Sequence, residues 1–133
     1  MKNKNDWLDW VVFIGIAVTL IFAASLKPAQ ANGLKEKDYQ NFWCEDQIEY
    51  RLPDKTRVDC LTPDFAIEFD YARKWAEAIG QAIHYGMQTD RRPGIVLIIE
   101  KDSDMKYWKR MQDIIWYYHL PVQTWMVRAK DVL

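Results

Sequence analysis

Ile95-Val96-Leu97-Ile98-Ile99 is the stretch that most constrains this chain, because five consecutive apolar residues, four of them β-branched, tolerate water on neither side. Such a run predicts a strand covered on both faces, placed at the centre of a sheet that lies between helices. Further strand-like runs at 49–52, 57–61, 66–71 and 122–127 supply its neighbours. Pro53-Asp54-Lys55-Thr56 and Thr62-Pro63-Asp64 carry turn chemistry, so the first three strands follow one another closely and the first two form a hairpin.

Helical spacing marks three further segments. Tyr39, Phe42 and Trp43 form an apolar patch within 35–46, which ends near Glu45. In 72–87 the apolar face is Ala72, Trp75, Ala76, Ile79 and Ile83, and Gly80 marks a point of close packing. A last amphipathic helix covers 104–118, with Asp102 or Ser103 as N-cap and Pro121 beyond its end. The order is α-β-β-β-α-β-α-β, an α/β domain with a mixed sheet, without internal repeats.

The amino-terminal 31 residues have a different character. Lys2 and Lys4 precede an uncharged run, 10–26, which Lys27-Pro28 breaks, and Ala29-Gln30-Ala31 offers the small residues that a signal peptidase reads. Residues 1–31 are therefore a signal peptide cut after Ala31 or, uncut, an N-terminal membrane anchor. Either way residues 32–133 are exported, to the periplasm or beyond, or held outside the cytoplasm on the inner membrane. Cys44 and Cys60 both lie in that part; an oxidising compartment favours a disulfide between them, with two buried thiols as the alternative.

A formal net charge of −1 excludes a blanket polyanion binder. With half the residues hydrophobic, the domain has ample material for a core, to which Trp43, Trp75, Trp108, Trp116 and Trp125 are assigned by their periodicity. His119 belongs to a helix end, and no Ser or Cys sits in a nucleophile elbow.

Strand alternation puts Glu68 and Asp70 on one face, opposite Ile67 and Phe69, and Asp59 opposite Val58 and Cys60. Pairing through the Thr62-Pro63-Asp64 turn then gathers three carboxylates, whose repulsion a divalent cation would relieve. On the next helix Lys74, Ala78, Gln81 and Tyr85 share one stripe, either a polar site wall or simply the wet side of a surface helix.

Taken together, Glu45 at the end of a first helix, Arg57-Val58-Asp59, Ala66-Ile67-Glu68-Phe69-Asp70 and Gln81-Ala82-Ile83-His84-Tyr85 resemble the PD-(D/E)xK nuclease superfamily, its RecB-like and Holliday-resolvase-like branches in particular. The resemblance spans 35–99. It implies a restriction-endonuclease-like α-β-β-β-α-β core with an added C-terminal helix and strand. It also implies Mg²⁺ or Mn²⁺ on Asp59 and Glu68 with Asp70 beside them, Lys74 and Gln81 as catalytic residues, and DNA as substrate. Glu45, Tyr85, Arg91 and Arg92 would then contact substrate. The family has a Lys two residues after the strand Glu, where this chain has Asp70; Lys74 is the replacement within reach. Without it, the domain is a catalytically inactive, exported or membrane-tethered binding module of an envelope or element-transfer system.

Overall fold

The computed structural model describes residues 33–132. The leader expected over 1–31 lies outside the described residues. Among the described residues four α-helices and five strands are formed: α1 Glu36–Trp43, β1 Gln47–Arg51, β2 Arg57–Leu61, β3 Phe65–Tyr71, α2 Trp75–Thr89, β4 Arg92–Ile99, α3 Met105–Tyr117, β5 Gln123–Arg128 and a short α4 Ala129–Val132. None of these helices is long and apolar enough to cross a membrane.

The strands stand side by side in chain order. β1, β2 and β3 form an antiparallel meander, whereas β3, β4 and β5 are parallel, so the sheet is mixed. Helices cover both faces as the Ile95–Ile99 run requires. Val96 and Ile98 pack with Ile67, Phe69 and Tyr39 of α1, while Ile95, Leu97 and Ile99 pack with Ala78 and Ala82 of α2 and Met111 of α3. The middle strand is β3 rather than the expected β4. β4 is nonetheless shielded throughout, because β5 occupies its second edge and both faces are covered.

Helix α1 stops at Trp43, shorter than its apolar pattern predicts, since Cys44 turns to extended geometry. Cys44 is there joined to Cys60 of β2 by a disulfide. Closing a loop of this length stabilises the fold by about 3 kcal/mol.

Helix α2 is rotated relative to its expected apolar face. Ala78, Ala82, Tyr85 and Gly86 are buried, whereas Ala76 and Ile83 are exposed. The small side chains of Ala78 and Ala82 let the helix axis come close to the sheet, and bulky Trp75 and Ile79 pack to the side, in the cluster that includes Met111. The Ala78-Gln81-Tyr85 part of the stripe is thereby turned inward instead of being the wet side, while Lys74 stays half exposed. Trp116 also departs from expectation, being 76% exposed and no part of the core.

Gly80 is likewise not a packing glycine, for a Cβ there would meet nothing within 4 Å. The close approach is at Gly86, where a Cβ would lie 2.9 Å from the Arg91 carbonyl oxygen. Urea denaturation is therefore expected to show opposite effects at the two positions. Gly80→Ala should stabilise by up to about 1 kcal/mol through helix propensity. Gly86→Ala should destabilise by about 1–3 kcal/mol through overpacking.

Candidate active site

The acids gather where β2 and β3 part. Their antiparallel ladder pairs Cys60 with Ile67 and Leu61 with Ala66. One step further the same register sets Asp59 opposite Glu68, and the main-chain pairing ends. Asp59 Oδ2 accepts the Phe69 N–H at 2.8 Å, so a side chain takes over as acceptor for the backbone at this point. The Asp59 and Glu68 carboxyls interact directly and both are buried.

Around this pair lies a cavity of about 320 Å³, lined also by Asp70, Lys74, Gln81, Tyr85, Arg57 and Glu36. The inward turn of α2 accounts for Gln81 and Tyr85. Lys74, in the 3₁₀ turn Ala72–Lys74 that precedes α2, places Nζ 3.6 Å from Asp70 Oδ1 and 3.8 Å from Glu77. Asp70 also accepts the Tyr71 N–H at 2.8 Å. Asp70 thus holds the Lys74 ammonium at the rim of the cavity.

Two oxygens in this cavity are buried without a hydrogen-bond partner among the described residues, Glu68 Oε2 and Gln81 Oε1. Buried acceptors are nearly always satisfied, so these two call for a donor or a cation. Among the described residues no three His, Cys, Asp or Glu side chains form a ready-made coordination shell. Mg²⁺, however, is commonly held by one or two carboxylates with waters and substrate oxygens completing its octahedron, and the hard oxygen donors of Asp59 and Glu68 fit that pattern.

Burial dominates the titration of the acids. It pushes Glu68 well up, with the charges of Asp59 and Asp70 adding to the effect. Asp59 is also raised by burial, restrained by the Phe69 N–H. Two such carboxyls disfavour each other's ionisation, so they titrate as a pair. Glu36 is pushed up to about 7, by burial first and by Asp59 next. Asp70 is raised by burial although Lys74 opposes the shift, and burial pushes Tyr85 up to about 12.

Not every residue expected here arrives. Glu45 is exposed just after α1 and is not part of the cavity wall; Glu36, at the opposite end of that helix, is. Gln40 is within reach of Glu36, its Nε2 lying 3.5 Å from Oε1. Arg91 and Arg92 line a second cavity instead. His84 bonds Asp54 Oδ2 at 2.7 Å, tying α2 to the β1–β2 turn. Glu36 escapes sequence reasoning because it lies outside the matched motifs, and Arg57, though it opens the Arg57-Val58-Asp59 motif, carries no assigned role in that pattern; it forms a 2.6 Å ion pair with Glu49 at the mouth of the hairpin.

No protein family, curated protein or solved structure matches this chain. The chemistry of the cavity therefore rests on its own geometry: a buried acid pair, a lysine beside it and an amide oxygen without a partner among the described residues.

The raised acids set the sign of a pH effect. The unfolded Glu ionises near 4.5 while the fold retains the proton on Glu68, so the stability this group contributes is complete below pH 4.5 and declines as pH rises toward its folded value. Glu68→Gln, which removes the ionisation, is expected to raise the melting temperature at pH 8 by roughly 4–8 °C for each kcal/mol recovered. At pH 4 the variant and the wild type should melt together in differential scanning calorimetry.

Proposed function

We propose that this protein is an exported, metal-dependent phosphodiesterase acting on DNA, built on a restriction-endonuclease-like core. The observation that carries the proposal is the buried Asp59–Glu68 pair with Glu68 Oε2 unpartnered, beside Lys74 and Gln81 in one cavity. Asp59 and Glu68 would hold Mg²⁺ or Mn²⁺, which supplies Lewis-acid polarisation of a phosphoryl oxygen and lowers the pKa of water. Asp59 is oriented for this by the Phe69 N–H. Lys74 stays charged, its pKa raised chiefly by Asp70, and stabilises negative charge developing on the phosphate. Gln81 offers its free amide oxygen to a water proton, which orients that water, while Tyr85 buttresses the Gln81 amide. Asp70 positions Lys74 and is a cavity wall more than a ligand.

A second reading, a non-catalytic binding module of an envelope or element-transfer system, is favoured by one observation. Lys74 faces two carboxylates, Asp70 and Glu77, which together neutralise it.

Two measurements separate the readings. Mn²⁺ titrated into the purified protein at pH 8 is expected to give saturable heat and a higher melting temperature, about 2.7 kcal/mol at a hundredfold excess over the dissociation constant, and Glu68→Gln should lose both. Supercoiled DNA should be nicked in Mg²⁺ or Mn²⁺, with activity falling to background in Glu68→Ala and by about 10²–10³ in Lys74→Met. Nicking that survives Glu68→Ala would remove the proposed site. Mn²⁺ binding without nicking would favour the module.

A further inference from the structure

A second cavity, about 840 Å³, opens between the carboxyl end of α2 and the segment leading from α3 into β5. Its walls are of two kinds. Ile83 and Met87 of α2 and Leu120, Pro121 and Val122 of the connection are apolar, and Met87 is 71% exposed. The chain just before Leu120 runs through Trp116, Tyr117 and Tyr118, exposed by 76, 68 and 64%, which leaves three consecutive aromatics in water at the end of α3.

The other wall carries Arg91 and Arg92. Arg57, Arg73 and Arg128 have carboxylate partners, whereas Arg91 and Arg92 have none among the described residues. Arg91 Nη1 is buried without an acceptor among the described residues. A shielded guanidinium nitrogen with nothing to bond is costly, and an anion is the partner that would satisfy it. The Arg92 guanidinium lies over the Phe65 ring, 4.0 Å from its centroid, a cation–π contact that anchors it at this wall. Asp90 is the one carboxylate lining the cavity. Both arginines line this wall, and a guanidinium's N–H groups pair readily with the oxygens of a phosphate.

We infer that this cavity binds a phosphate-headed amphiphile, with the phosphate on Arg91 and Arg92 and the apolar body against Ile83, Met87 and Leu120. The apolar wall separates this ligand from free phosphate, which would gain nothing from it, and from a nucleic acid backbone, which is polar along its whole length. The site is independent of the acid cavity.

The probe is dihexanoyl phosphatidate below its micelle-forming concentration, titrated calorimetrically into the full-length protein. Saturable binding is expected, at least about tenfold tighter than that of inorganic phosphate or of dihexanoyl phosphatidylcholine. Arg91→Ala should weaken it about tenfold or more, with Arg91→Lys recovering part of the loss. Met87→Glu, a change at an exposed position that leaves packing intact, should weaken it similarly by setting a carboxylate against the apolar body. Glu68→Gln should leave it unchanged. Absence of saturable heat, equal affinity for inorganic phosphate, or indifference to both Arg91→Ala and Met87→Glu would overturn the inference. So would displacement of the lipid by a short DNA oligonucleotide of equal affinity, which would assign the guanidiniums to a nucleic acid backbone.

Discussion

Two carboxyls facing each other across a buried pair of strands are the constraint around which this domain is arranged. Asp59 and Glu68 repel when both are ionised, and both lose hydration on burial. The fold accommodates them by ending the β2–β3 ladder at their level and by giving Asp59 a backbone N–H, while burial raises the proton affinity of both groups. Opening the ladder makes the cavity, and the small face of α2 brings Gln81 and Tyr85 to it. A helix with leucines at Ala78 and Ala82 would stand farther off, and the amide would not reach the acids.

The placement of Lys74 follows from the same arrangement. Asp70 is a third acid on the face of Glu68, and its burial is tolerable because Lys74 lies 3.6 Å away. With the lysine side chain half exposed, this ion pair adds little to stability, of order 0–1 kcal/mol. Its effect is positional: a flexible lysine outside the strand is held at the cavity, where a lysine at position 70 would have pointed by strand geometry alone.

Much of this architecture was legible in the sequence. The order of eight elements, the β2 span and the two-faced burial of Ile95–Ile99 all follow from period and turn chemistry, and the alternation of Ile67, Glu68, Phe69 and Asp70 places the acids correctly. Three things were hidden. Hydrophobic periodicity finds the greasiest side of α2, but the side that meets a sheet is decided by how closely a backbone approaches, and there Ala78 and Ala82 outrank Ile83. Glycine type alone does not separate Gly80 from Gly86, because only the path of Arg91–Pro93 crowds one of them. Glu36 reaches the cavity through the docking of α1 on the sheet, a long-range placement that local pattern does not encode. The fold is thus seen as a mixed α/β sheet between helices, whereas the chemistry of the cavity is inferred.

The Cys44–Cys60 bond has a consequence beyond closing a loop. Cys60 follows Asp59 directly, and a strand displaced by one residue presents all its side chains to the opposite face. Such a slip would move the Asp59 carboxyl away from Glu68 and relieve their repulsion, so the acids themselves press β2 toward the wrong alignment. Tethering Cys60 to the end of α1 sets Asp59 against that pressure: the covalent bond acts as a detent, keeping two mutually repelling groups face to face.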